Sequence, residues 1–177
     1  DISLFLEVKN IKTNNIIHSG RLNAASNVFL ADGGTLSNDA KYLYIPDYIK
    51  NIGTVYEIVN DKLEKVIEIN GNPSVKFYGN KVLYESSKKV YLVNLETKVS
   101  ESFEPSNERR LITYDPLSNK VFLVKEGAAE IYDFTLKTSK QLNYEDTKGD
   151  RYHEEIHFIF FQNNRLIYSN GMYFDDY

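Results

Sequence analysis

The stretch Val90-Tyr91-Leu92-Val93-Asn94-Leu95-Glu96-Thr97-Lys98 decides the fold. Residues favoured in strands lead into Asn94, whose side chain favours a turn, and a polar run then leads into a further strand at 99–103. The nonapeptide therefore reads as one arm and the tip of an antiparallel hairpin. The arrangement stands twice more. Val55-Tyr56-Glu57-Ile58 runs through Asp61-Lys62-Leu63-Glu64 into 66–69, and Ile131-Tyr132-Asp133-Phe134 runs through Leu136-Lys137-Thr138 into 139–142.

Upstream of these hairpins a basic residue heads an apolar run: Lys41-Tyr42-Leu43-Tyr44-Ile45, Lys81-Val82-Leu83-Tyr84 and Lys120-Val121-Phe122-Leu123-Val124. A fourth copy is Arg165-Leu166-Ile167-Tyr168. The basic residues stand 40, 39 and 45 positions apart. A further strand precedes each copy, at 27–30, 75–78, 111–114 and 156–161. The repeating unit is thus four strands, A to D, in roughly forty residues, a period typical of repeat architectures. The N-terminus (Leu4-Phe5-Leu6-Glu7-Val8, then Asn10 to Asn14, then Ile16-Ile17-His18) reads as a C–D pair, and the C-terminus as an A–B pair. The expected layout is strands C–D at 3–18, blades at 27–69, 74–103 and 110–142, and strands A–B at 156–168, all in one domain 1–177 or a fragment of one. The two half-blades would fasten together. The best helical candidate, 143–157, contains Gly149 and lacks apolar residues at helical spacing.

A repeated four-stranded antiparallel unit with an apolar-Tyr-x-apolar strand, a polar turn and Thr-Lys resembles a β-propeller blade. Val90 to Lys98 looks like blades of the YVTN and quinoprotein-like propellers. The resemblance implies an all-β propeller of about four blades, either a closed four-bladed ring or part of a larger one, or two chains completing one ring. The Gly-His and Trp-Asp marks of WD40 blades, the Asp-box of sialidases and the kelch glycine pair are absent, so it implies a fold and no particular residue roles. The physics agrees. One blade has two apolar faces and cannot bury them alone, so neighbours must stack.

Composition narrows the function classes. Of 177 residues, 21 are basic and 25 acidic, a balance of −4 that disfavours a general nucleic-acid binder. No apolar run reaches the ~18 residues of a membrane span. With no cysteine, thiol catalysis, disulfides and cysteine-ligated zinc are excluded. Asp1 in place of an initiator Met is read as the trace of a removed signal, leader or longer parent chain. No Asn-x-Ser/Thr acceptor stands in the sequence, since Asn72-Pro73-Ser74 is blocked by proline. The favoured compartment is extracytoplasmic or envelope.

His153-Glu154-Glu155-Ile156-His157 matches H-E-x-x-H, in which a helix places two His on one zinc and Glu acts on bound water. The flanks are a polar loop, Asp146 to Asp150, and a strand-like run, His157-Phe158-Ile159-Phe160-Phe161. On a strand the two imidazoles stand about 13 Å apart, too far for one ion. The motif reads as a loop entering a strand, with His153, Glu154 and His157 kept as metal candidates. Glu145, Asp146 and Asp150 lack the EF-hand spacing for calcium. Asp32-Gly33-Gly34 is a turn, and neither a phosphate-binding glycine motif nor a G-x-S-x-G elbow occurs. No cofactor and no catalytic residue is assigned.

Long loops on a rigid scaffold carry binding. In a propeller the B–C and D–A loops share one face. Here that face would collect 46–51, 104–110 and 143–155, with Tyr48, Arg109, Arg151 and Tyr152 as anchors, because Tyr and Arg dominate interface hot spots. The functional expectation is a non-catalytic module for a protein or glycan partner. The alternative is a hydrolase or lyase acting on a polymer such as glycan near the propeller axis.

Overall fold

In a computed structural model the described residues are 4–22, 34–106, 111–125, 128–143, 159–162, 165–168 and 173–174. All regular structure among them is β. The strands are β1 (Leu4–Lys9), β2 (Ile16–Leu22), β3 (Thr35–Leu36), β4 (Tyr42–Asp47), β5 (Ile52–Val59), β6 (Lys62–Asn70), β7 (Val75–Tyr78), β8 (Lys81–Ser86) and β9 (Lys89–Asn94). They continue as β10 (Ser100–Phe103), β11 (Leu111–Asp115), β12 (Lys120–Lys125), β13 (Ala128–Asp133), β14 (Thr138–Asn143), β15 (Ile159–Gln162), β16 (Arg165–Tyr168) and β17 (Tyr173–Phe174). Three four-stranded sheets, β3–β6, β7–β10 and β11–β14, pair each strand with its neighbour in sequence, as the repeated hairpins predict. The chain divides into two compact units, Asp1–Glu104 and Pro105–Tyr177.

In the first unit, one face of β3–β6 lies against one face of β7–β10. Tyr42, Tyr44, Val55 and Ile69 meet Val75, Val82, Val93 and Leu95 in a single buried cluster. Each such side chain contributes about 2 kcal/mol on burial. Leu43, between the two tyrosines, is buried as well, so β4 is covered on both faces and reads as a continuous apolar run. The packing depends on one glycine. Gly53 lies on β5 opposite Pro46, and a Cβ there would overlap Cε2 and Oη of the Tyr44 ring. The second unit repeats the theme: Val121 and Phe122, on opposite faces of β12, are both fully buried.

The turns share one chemistry. An Asx residue accepts hydrogen bonds from the backbone N–H groups two and three positions on, and the residue four on turns left-handed. Asn10 bonds Lys12 and Thr13, with Asn14 at φ 63°. Asp47 bonds Ile49 and Lys50, with Asn51 at φ 55°; Asn94 bonds Glu96 and Thr97, with Lys98 at φ 60°. Asp115 bonds Leu117 and Ser118, with Asn119 at φ 55°; Asp133 bonds Thr135 and Leu136, with Lys137 at φ 57°. The side chain substitutes for a backbone acceptor, and Asn tolerates the left-handed region better than Lys does.

Three local details differ from or extend the sequence pattern. Thr35–Leu36 pairs with β4, and the expected strand 27–30 lies outside the described residues. Ser37 closes this short connection, accepting from the Tyr42 backbone N–H at 2.8 Å. The polar hairpin expected over 61–64 is tighter, and its strand starts earlier than 66. Asn60 and Asp61 alone form the turn, both at positive φ (50° and 59°), which matches strand twist and lets β6 start at Lys62. β16 is also paired by β17, next in the chain, where the end of the sequence reads as a turn entering another strand. A short connection closes with less entropy loss than a chain-long one. The N-terminal hairpin forms its own two-stranded sheet.

Gly53→Ala is expected to destabilise the protein by about 2 kcal/mol or more, because the Tyr44 ring must leave its seat. In a Tyr44→Ala background the penalty should shrink, which a denaturant double-mutant cycle measures. Lys98→Gly and Lys137→Gly should each stabilise by about 0.5–1 kcal/mol through relief of the left-handed conformation. Asn94→Ala should cost about 1 kcal/mol.

Candidate functional site

In the first unit the B–C turn 48–51 joins β4 to β5, the link 71–74 joins β6 to β7, and Ser87–Lys88 joins β8 to β9. Antiparallel pairing brings all three to the same end of their sheets. They are bonded to one another. Gly71 donates its backbone N–H to the Asn51 carbonyl at 2.9 Å, and Asn72 Nδ2 donates to the Asp47 carbonyl at 2.8 Å. Ser86 Oγ donates to the Asn70 carbonyl at 3.2 Å. Gly71 (φ 88°) and Asn72 (φ 44°) take left-handed conformations that let the link double back onto the turn. Asn72 Oδ1 is buried and has no hydrogen-bond partner among the described residues.

Asp47 organises the turn. Its Oδ1 accepts from Ile49 N–H at 3.1 Å and Lys50 N–H at 3.0 Å, and its Oδ2 stands 3.5 Å from Lys50 Nζ. The Lys50 backbone bond, with the Lys50 charge and the Ile49 bond, holds the Asp47 carboxyl below the usual carboxylate range. The product is a fixed tip. Tyr48 is half-buried, while Ile49 projects with 71% of its surface exposed. A rigid apolar side chain presented to water can anchor a partner at little conformational cost.

Of the anchors expected from sequence, Tyr48 lies on this surface. Arg109, Arg151 and Tyr152 lie outside the described residues, as do His153, Glu154 and His157. Among the described residues no three His, Asp or Glu side chains gather as metal ligands. The sequence reading missed the link 71–74 and the Ser87–Lys88 turn as neighbours of Tyr48. The turn-forming cluster Asn70-Gly71-Asn72-Pro73 was the available signal.

It also missed Glu130 in the second unit. This carboxylate is buried on β13. It accepts from Ser106 N–H at 3.1 Å, from Ser106 Oγ at 3.0 Å and from Ser139 Oγ. Gln141 Nε2 donates to Ser106 Oγ at 2.6 Å. Three donors compensate the buried carboxylate and pin the start of the segment that carries Arg109. An acid in the apolar run Ala128-Ala129-Glu130-Ile131 was the signal. The other end of the same sheet shows Leu117 and Leu136, exposed on turns joined by Asn119 Nδ2 donating to Thr135 Oγ1 at 3.2 Å.

The protein is an all-β protein of the β-propeller class, built of four-stranded antiparallel blades. A chain of a mitotic checkpoint complex superposes on 94% of this chain with a TM-score of 0.58 at 11% identity. A chain of a complex of Saccharomyces cerevisiae Dbp5 with Nup159, Gle1, IP6 and ADP superposes on 77% with a TM-score of 0.51 at 14% identity. The chain spans 52% of the first and 37% of the second. No protein-family model matches the sequence, and no curated protein matches it.

The depressed Asp47 carboxyl makes the tip pH-sensitive in a fixed direction. Its stabilising contribution is complete above the unfolded carboxylate range near pH 4 and is lost as pH falls through the lower folded value. Amide exchange at Ile49 and Lys50, corrected for intrinsic rate, should therefore accelerate in acid, and Asp47→Ala should show the fast exchange already at neutral pH.

Proposed function

We propose that the chain is a non-catalytic binding module that takes a protein partner on the loop face around Tyr48. The observation that carries this reading is Ile49, an exposed apolar side chain at the tip of a turn held by Asp47 and Asn72. Hot spots are rigid, mostly apolar or aromatic anchors ringed by polar groups, and Ile49 beside Tyr48, Lys50 and Asn72 has that composition. Arg109, Arg151 and Tyr152, in the second unit, are proposed as further anchors. A protein is favoured over a glycan because the projecting group is a branched aliphatic, which gains most from an apolar pocket. Both superposed chains come from assemblies of several proteins, which supports the choice.

Capture from a lysate of the source organism tests the reading. Proteins retained by the native chain should be lost with Ile49→Asp and with Tyr48→Ala combined with Arg151→Ala and Tyr152→Ala. They should be retained with Leu117→Asp, on the opposite end of a sheet. For an identified partner, losing a hot spot should cost about 2 kcal/mol, or roughly thirtyfold in Kd. Undiminished capture by the folded Ile49→Asp variant would remove this face from consideration.

A further inference from the structure

We infer that the N-terminal hairpin β1–β2 is a detachable flap lying beside the outer strand β6, and that the Asp61 carboxylate is the latch that holds it. Asp61 belongs to the β5–β6 turn, some fifty positions along the chain from the hairpin. Three side chains of the hairpin turn converge on it. Asn10 Nδ2 donates to Oδ1 at 3.0 Å, Asn15 Nδ2 donates to Oδ2 at 3.0 Å, and Thr13 Oγ1 donates to Oδ2 at 3.4 Å.

The donors are arranged beforehand by the turn itself. Asn10 Oδ1 is occupied by the backbone N–H groups of Lys12 and Thr13, which leaves its Nδ2 directed outward. The Asn10 and Asn15 backbones are joined at 2.9 Å, which fixes the spacing of the two carboxamides. Both oxygens of Asp61 are thereby engaged, and its carboxyl is held below the ordinary range by the bond from Asn15 first and Asn10 next.

β1 and β2 pair only with each other, and β2 lies beside β6 without joining its ladder. Of the side chains described between Glu7 and Ser19, Val8, Asn10 and Ile17 are half-buried and the rest exposed, with Ile11 at 93% and Ile16 at 55%. A two-stranded hairpin is marginal when free, so an unlatched flap would lose its own order as well. β6 is the outermost strand of its sheet, and covering such an edge is a common protection against pairing with foreign strands. Opening the flap would uncover that edge.

Hydrogen exchange on the full chain tests the latch. Asp61→Gly is the informative variant. It places an Asn-Gly pair at a turn with two positive φ residues, which preserves the β5–β6 hairpin while removing the carboxylate. Exchange across 4–22 should rise by about tenfold or more, with 42–94 unchanged. Asn15→Ala, which removes one donor and leaves the Asp61 turn intact, should give a smaller rise confined to the same residues. Unchanged protection of 4–22 in Asp61→Gly, or exchange rising in step across 42–94, would overturn the inference.

Discussion

The contact on which the first unit depends is an aromatic ring seated on bare backbone. Tyr44 reaches across to Gly53, and only the missing Cβ lets the ring lie flat enough for β7–β10 to close over it. Val55 and Ile69 then share one buried cluster with Val82 and Val93. A glycine inside a strand is unfavourable on its own. Here its cost is offset by the area that Tyr44 buries. The interaction also sets the register of β4 on β5: a slip by one residue would put Tyr44 on the other face and open both sides of the cluster.

Burial on both sides of the three four-stranded sheets, as at Leu43 and Tyr44, Val82 and Leu83, and Val121 and Phe122, constrains the rest of the chain. Side chains on those faces are buried, so polar chemistry collects at strand ends. There the protein uses one device repeatedly: Asn10, Asp47, Asn94, Asp115 and Asp133 each carry a turn that would otherwise leave backbone N–H groups without partners. The same ends carry the exposed apolar residues Ile11, Ile49, Leu117 and Leu136. Lys41 ties together the two four-stranded sheets of the first unit at one end, standing 3.5 Å from Glu57 and 3.3 Å from Glu96, while Asn80 Nδ2 holds the second oxygen of Glu96 at 3.0 Å. Such exposed pairs contribute little stability, but they fix how one turn stands against the next.

Much of this was legible in the sequence because strand periodicity and turn composition are local signals. Val90 to Lys98 displays both arms and the cap of its hairpin within nine residues, and β7 to β10 fall where the pattern puts them. The failures are equally physical. Thr35–Leu36 is too short to show alternation, so it does not read as a strand. Asp61-Lys62-Leu63-Glu64 is polar by composition, yet a two-residue turn at Asn60-Asp61 draws its tail into β6, whose solvent side tolerates charge. The bonds that tie the link 71–74 to the 48–51 turn were not legible at all. Asn72 and Ser86 reach that surface through tertiary bonds to carbonyls, and no spacing in a linear sequence encodes which carbonyl a side chain will find.

The two kinds of polar junction in the molecule do different work. Glu130 is buried on β13, between β12 and β14, and satisfied by neutral donors, so removing one would leave a buried carboxylate short of a partner. Asp61 makes as many hydrogen bonds, but at a surface where water can replace each donor at once. Equal counts of hydrogen bonds therefore give a fixed joint in one place and a releasable one in the other. The difference lies in what solvent can do when the bond breaks, and that follows from whether the acid stands within an apolar strand or at its tip.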